Sequence, residues 1–342
     1  MKKPLWLVTG GAGFIGSNYV CRLLERGEKV TIYDNLSRAG APRNLKWLQE
    51  RFGAGAFELV TADVRDAAQL AVSVRSADVI VHLAAQVAVT TSVVKPREDF
   101  EINALGTFNV LEAARLNERN PVILYTSTNK VYGGMEDVRV VDRGQRWEYE
   151  DLPHGASESQ PLDFHSPYGC SKGAGDQYVR DYQRIYGLRT VVLRQSCIYG
   201  PRQFGVEDQG WVAWMIIAAQ TGQPITIYGD GKQIRDLLYI DDLLDGYDAA
   251  IQNIERVKGQ VFNMGGGPEN TMSIWTEFGP RLERLLGKSV LVGHGDWRPG
   301  DQKVFVADIR KAQAWLGWKP KYSVEQGVKL LFEWVGANKS LF

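Results

Sequence analysis

The chain has 342 residues, enough for two domains or for one large α/β domain with an appended lobe, and at 44% hydrophobic it can bury a core without disulfide staples. Forty Lys and Arg balance forty Asp and Glu with no block of like charge, which excludes the clustered basic face that nucleic acid requires. The odd set Cys21, Cys170 and Cys197 forms no CxxC pair, so a reducing, cytoplasmic setting is expected. Met1-Lys2-Lys3-Pro4 precedes only a short apolar run cut by Gly10-Gly11, and no apolar stretch reaches about 18 residues, so neither a leader nor a membrane partner is expected.

Leu5 to Thr9 reads as a strand, and Thr9-Gly10-Gly11-Ala12-Gly13-Phe14-Ile15-Gly16 follows it and opens a helix over Ser17 to Arg26. The GxxGxxG spacing of Gly10, Gly13 and Gly16 lets a pyrophosphate approach backbone N–H groups at a helix N-terminus, where the dipole favours negative charge. Phe14 and Ile15 open that helix and join the candidate cofactor set.

A second strand, Val30 to Tyr33, ends at Asp34, about 20 residues past the glycines, where a carboxylate accepts from ribose hydroxyls and repels a 2'-phosphate. NAD is therefore expected over NADP, although Arg38 would suit such a phosphate if it were not a solvated loop cation. Asn35 lies beside Asp34. The third strand, Phe57 to Val60, leads to Asp63 and Val64, with Asp63 placed either to accept from the adenine amino group or to cap the next helix. Val79 to Leu83 is the fourth strand, and Leu83-Ala84-Ala85 offers small residues along the cofactor with Gln86 next toward substrate.

A helix over Asp99 to Asn117 and a strand over Val122 to Thr126 follow, then Thr128, whose hydroxyl can share a substrate oxygen, and Asn129. Gly133 to Gln160 is polar and weakly periodic and reads as a functional loop. Beyond His165, Tyr168-Gly169-Cys170-Ser171-Lys172 puts a phenol and an ammonium at i and i+4 on one face of a helix over Tyr168 to Tyr186. A lysine near a tyrosine favours the phenolate, so Tyr168 is expected to have a lowered pKa and to act as base for a hydroxyl losing hydride. After a strand over Thr190 to Arg194 the rhythm changes at Gly200, and Gly229-Asp230-Gly231 reads as a hairpin turn. Strands recurring with helices between them predict α/β architecture, a Rossmann-type doubly wound parallel sheet. Residues 1–200 are expected to form the cofactor domain, with part of 240–265 returning to it, and 201–342 mainly a smaller C-terminal substrate-binding lobe. His82, His154, His165 and His294 show no metal-ligand spacing, so no metal is expected.

These motifs together resemble the extended short-chain dehydrogenase/reductase superfamily: the glycine motif, Asp34, Thr128 to Gly133, Tyr168 with Lys172, Tyr199-Gly200-Pro201-Arg202, and Gly229 to Asp236. Within it, Thr126 to Gly133, Asp163 to Gly173, Asp208-Gln209-Gly210-Trp211 and Asp301 to Asp308 are similar to the CDP-paratose 2-epimerases, also called CDP-tyvelose epimerases. The resemblance implies Thr128, Tyr168 and Lys172 as catalytic residues, with the last two also contacting NAD. It implies a CDP-sugar or related nucleotide sugar as substrate, epimerised at C2 through a transient ketone, and Arg235, Arg298 and Asp301 as holders of its diphosphate and ribose. Cys197 stands where the superfamily commonly has an Asn on the diphosphate. The helices Asp99 to Asn117 and Tyr168 to Tyr186 resemble those that pair in a four-helix dimer seam, implying a homo-oligomer. Nucleotide-sugar 4,6-dehydratases, a sister family, carry Asp-Glu directly after the catalytic Thr as acid and base of elimination; here Asn129-Lys130 has no acid to give and no base.

Overall fold

The computed structural model describes residues 3–298 and 300–342; Met1 and Lys2, where the leader reading starts, lie outside them. The chain divides into two units. The first takes the chain up to Thr128, then Ser166–Arg194 and Tyr247–Val261. The second takes Asn129–His165, Gln195–Gly246 and Phe262–Phe342. Asn129–His165, expected in the first domain, therefore belongs to the second unit.

The first unit is organised by six strands of a seven-stranded sheet, to whose seventh it contributes Val261. The strands of the sheet are Leu5–Thr9 (β1), Lys29–Tyr33 (β2), Glu58–Val60 (β3), Val79–His82 (β4), Val122–Thr128 (β5), Arg189–Gln195 (β6) and Val261–Met264 (β7), in the order β7-β6-β5-β4-β1-β2-β3. β1 runs parallel to both β2 and β4, with Leu7 opposite Thr31 and Ile80. The chain order reverses at β1, and in such sheets the crevice outside the strand C-termini at the reversal is where ligands bind. The strands are near-continuous β-branched and apolar runs because helices cover both faces: Ile32, Ile80 and Leu124 have no exposed surface.

The helices of this unit are Phe14–Glu25 (α1), Ala41–Phe52 (α2), Ala67–Val74 (α3), Val89–Val94 (α4), Pro96–Phe100 (α5), Gly106–Arg115 (α6) and Ser166–Tyr186 (α7). The helix expected over Asp99 to Asn117 is not continuous. A wider π turn, Glu101–Leu105, separates α5 from α6. It carries Asn103, whose amide is buried and bonds the Gln86 backbone in both directions, at 2.9 and 3.0 Å. Such turns collect at functional sites. Gly106 lets the helix close on β3's end, since a Cβ there would lie 2.7 Å from the Val64 side chain.

In the second unit, Ile234–Tyr239 is the central strand, pairing antiparallel with Thr271–Ser273 and parallel with both Val304–Phe305 and Cys197–Tyr199. The hairpin expected at Gly229-Asp230-Gly231 does not form: Ile225–Tyr228 pairs instead with Val292–Gly295, so the turn, with positive φ at both glycines, joins strands of different sheets. The supposed loop Gly133 to Gln160 contains an antiparallel pair, Val140–Asp142 with Trp147–Tyr149, packed by Val140, Trp147 and Tyr149 on Ile234, Val304 and Val306. No helix among the described residues is long and apolar enough to cross a membrane.

One buried ion pair joins α7 to β6. Arg194 grips Asp176 with two hydrogen bonds, 2.9 and 3.0 Å, and both side chains are almost wholly out of solvent. Asp176→Asn strands a buried guanidinium and is expected to lower stability by about 3–5 kcal/mol. The midpoint of urea unfolding measures this, and an unchanged midpoint would refute the pair's structural weight.

Candidate active site

The first unit builds a phosphate cradle at the end of β1. Gly10 has a positive φ of 68°, and a Cβ there would lie 2.8 Å from the Ala84 backbone nitrogen. At Gly16 a Cβ would lie 2.1 Å from the Gly10 carbonyl, so both glycines are required by backbone packing alone. Gly13 differs. A Cβ there would meet only the Gly10 carbonyl, at 3.1 Å, leaving open space over the start of α1, and Gly13 supplies no side-chain cap to the helix amides at Phe14 and Ile15. Uncapped amides facing open space fit an anionic ligand.

Asp34 closes the cradle from β2. Its carboxylate accepts from the Ala12 N–H at 3.0 Å and the Leu36 N–H at 2.8 Å, which fixes it at the strand end, and burial raises its pKa against those bonds. Asp63 is already occupied. It takes two side-chain bonds from Arg65 and one from Asn35, and the Arg65 guanidinium holds its carboxyl down at about 2. The helix cap once open to Asp63 is Asp66, which accepts from the Gln69 N–H at 3.0 Å. Val64 points into the core. On β4, His82 is buried and pushed down to about 3 by that burial. Thr107 donates to the Asn103 carbonyl at 2.6 Å, so the His82 Nε2–H donates to Thr107 and Nδ1 accepts from Thr9 at 2.7 Å. Thr9 in turn accepts from the amides of Leu83 and Ala84, both at 3.2 Å, setting the loop that carries Ala85.

The phenol and ammonium lie on α7. Tyr168 is 9% and Lys172 4% exposed. The Thr128 hydroxyl at the end of β5 hydrogen-bonds the Tyr168 hydroxyl, so the two residues paired on the sequence do meet. The expected lowering of the Tyr168 pKa does not occur. Burial pushes it up to about 12, and what opposes the rise is the Thr128 bond and the Arg38 guanidinium. The Lys172 Nζ lies over the Tyr125 ring, 4.4 Å from the centroid. Burial lowers its own pKa to about 7, against the charges of Asp176 and Asp99. Gln86, expected to face substrate, spends its amide internally: Nε2 donates to Ala88 and Asp99, and Oε1 accepts from the Ala88 N–H.

The second unit gathers a cationic cluster. Arg235 donates to Asp301 at 2.6 Å, and the Asp301 N–H donates to the Arg298 carbonyl. Lys130, on the 3-10 turn Asn129–Tyr132, donates to the Gly300 carbonyl at 3.5 Å. Burial and the Arg235 charge push Lys130 down to about 8, against Asp301, so it remains an ammonium at neutral pH. Cys197 lies within reach of the charges of Arg235 and Lys130, and burial pushes its thiol up. Arg298 instead stacks on the Tyr228 ring at 3.8 Å and pairs with Asp208 at 3.2 Å. His165 is exposed and lies beside Gly300. Sequence reasoning missed the network of Thr9, His82, Asp99 and Ser171, because no spacing marks residues that meet only through the sheet.

Residues 6–265 match the model of the NAD dependent epimerase/dehydratase family. The chain belongs to that family. It is 44% identical over 97% of its length, and 99% of the relative, to a CDP-paratose 2-epimerase of Salmonella typhi. It is 33% identical over 97% of its length, and 98% of the relative, to a putative UDP-glucose 4-epimerase of Methanocaldococcus jannaschii. Among solved structures it resembles the Thermus thermophilus UDP-glucose 4-epimerase in complex with NAD, at TM-score 0.81, 31% identity and coverage of 98% and 99% of the two chains. DesIV, a dTDP-glucose 4,6-dehydratase of Streptomyces venezuelae with NAD and TYD bound, matches at 0.84 and 29%, covering 99% and 98%. NAD is the cofactor of this family member, and the open cradle above Gly13 with the carboxylate of Asp34 fits it.

Purified protein, once denatured, is expected to release NAD and no NADP. Asp34→Ala is expected to lower the bound NAD per chain at least tenfold, through loss of charge-assisted ribose bonds. Released NADP, or NAD content unchanged in the variant, would refute the assignment of Asp34.

Proposed function

We propose that the protein is a nucleotide-sugar isomerase that inverts C2 of CDP-paratose to give CDP-tyvelose. The 44% identity over 97% of the chain to a CDP-paratose 2-epimerase carries this reading. Bound NAD supplies the hydride acceptor for oxidation of the sugar and the hydride donor for its return. Tyr168 acts as its phenolate, which the Thr128 bond and the Arg38 charge favour against burial: it takes the proton of the sugar hydroxyl at Oη and gives it back, Thr128 donates to the same oxygen as charge develops, and Lys172 holds positive charge one turn further along α7. The ketone turns over between the two transfers, so one cofactor serves both and no net redox occurs. Arg235, Arg298 and Asp301 hold the diphosphate and ribose, with Asn129 and His165 toward the sugar. Gln86 contributes through its backbone position, since its amide is bonded internally. NAD and nucleotide sugars are cytoplasmic metabolites, which supports that location. Tyr178, Ile185 and Tyr186 on α7 are large, apolar and exposed, which supports a homo-oligomer seam.

A panel of CDP-, UDP-, GDP- and dTDP-sugars, with product configuration read by NMR, tests the substrate. Only CDP-paratose and CDP-tyvelose are expected to interconvert at full rate; preferred turnover of a UDP-sugar would replace this reading by that of the UDP-glucose 4-epimerase relatives. Substrate deuterated at C2 is expected to give product deuterated at C2, and washout into solvent would exclude hydride return. Tyr168→Phe is expected to lower turnover by about 10² to 10⁴, and Thr128→Val by about 10² to 10³, with NAD content near that of the parent in both. Near-parental turnover in Tyr168→Phe would remove the phenol from the mechanism.

A further inference from the structure

Asp99 on α5 is a carboxylate with no exposed surface, and it has no salt bridge among the described residues. Three side chains donate to it. Ser171 donates to Oδ2 at 2.5 Å, Gln86 Nε2 to Oδ1 at 2.8 Å, and Asn103 Nδ2 to Oδ1 at 3.1 Å. Burying an ionised carboxylate without a cation in contact is costly, and three donors from three segments are a large investment of structure in one charge. The donors show what that charge is tied to. Ser171 sits between Tyr168 and Lys172 and bonds the Tyr168 carbonyl at 3.2 Å. Asn103 comes from the π turn and also donates to Ser171 at 3.1 Å. The opposite end of the same turn of α7 is held from α4, where Ser92 accepts from the Tyr168 N–H at 3.1 Å.

We infer that Asp99 is a positioning residue for the reaction, a buried negative charge that locks the first turn of α7 and favours the ammonium form of Lys172. The groups that face Lys172 are few. Asp176 on α7 is already shared with Arg194, His82 on β4 is neutral, and the Tyr125 ring offers only its π face. Asp99 is thus the carboxylate near Lys172 that no arginine neutralises, and its field favours the ammonium. The same field acts on Tyr168 in the other sense, disfavouring the phenolate, while Arg38 opposes it. Removing the charge therefore lowers both pKa values, and every limb of the pH profile due to either group moves to lower pH. The inference rests on the proposed roles of Tyr168 and Lys172.

The test uses holoenzyme and two variants. Asp99→Asn keeps the shape and can still accept from two of the three donors, but carries no charge; Asp99→Glu keeps the charge. Two readouts are taken: the part of the pH dependence of kcat that Lys172→Met abolishes, and the titration of the Lys172 13Cε resonance, assigned by its loss in Lys172→Met. In Asp99→Asn both are expected to move about one pH unit lower, the worth of one nearby charge at an effective dielectric near 20, with kcat reduced about tenfold. In Asp99→Glu both are expected to stay at the parental position. Superimposable titrations of parent and Asp99→Asn, or a displacement in Asp99→Glu as large as in Asp99→Asn, would overturn the inference. Should Asp99→Asn fail to fold, Asp99→Glu decides alone: an unmoved titration supports the inference and a displaced one overturns it. If Tyr168→Phe and Lys172→Met both keep parental activity, the mechanism fails, whereas the resonance titration still reports on Asp99 and Lys172.

Discussion

The packing around the first turns of α7 depends on burying one lysine. Lys172 is taken almost wholly out of water, and in that setting a lone cation loses its proton or unfolds its surroundings. Its position is tolerable because the sheet and two helices bring opposite charge and a π face to it: Asp176 from its own helix, Asp99 from α5 and the Tyr125 ring from β5. Asp176 answers to two cations, since Arg194 holds it bidentately. The placement of β5, β6, α5 and α7 is therefore not separable from the charge they enclose.

The same constraint explains the extent of hydrogen bonding around it. A buried network that is partly satisfied costs more than an apolar core, so partners for the polar groups near Lys172 stabilise the site. His82 is kept neutral and bridges Thr9 to Thr107, and Thr9 then receives two amides of the loop beyond β4. Gln86 and Asn103 exchange bonds across that loop and the π turn, and end on Asp99. The loop along which the cofactor is expected to lie and the turn that carries Tyr168 are thus set by one continuous network within the first unit, and rigidity there follows from desolvation.

What the sequence made legible was whatever depends on local spacing. The glycine run after β1, Asp34 at the end of β2 and the i, i+4 pair Tyr168 and Lys172 are short-range patterns, and the structure places all three at the crevice end of the sheet or on α7. Whatever depends on which segments meet was hidden. Lysine next to tyrosine on a helix face suggested a depressed phenol pKa, but burial raises it, and the Lys172 Nζ lies over the ring of Tyr125, on a strand 47 residues upstream. Asp63 looked available until Arg65 and Asn35 were seen to fill its lone pairs. The turn at Gly229 to Gly231 carried every local mark of a hairpin, and only the pairing of Ile225–Tyr228 with Val292–Gly295 shows otherwise. Asp99 had no signal at all, being one acid among several on a helix that periodicity drew straight through the π turn.

Fold likeness does not choose between epimerisation and elimination. The dehydratase DesIV superposes with a TM-score of 0.84 and the Thermus thermophilus 4-epimerase with 0.81, so the scaffold serves both chemistries equally. The choice must lie in groups that act on carbons beyond the oxidised one. Elimination next to a ketone needs an acid for the departing hydroxyl and a base for a carbon-bound proton, and the dehydratase pattern provides both directly after the catalytic threonine. Here that place holds the amide of Asn129 and the amine of Lys130. An amide offers no acidic proton at neutral pH. Lys130, even pushed down to about 8, is roughly nine-tenths ammonium at pH 7 by the protonation equilibrium, and the field of Asp301 holds that proton in place. With both elimination steps unserved, a keto-sugar formed on this scaffold has one productive course left, which is to take hydride back. Face selection on return then decides between substrate and epimer.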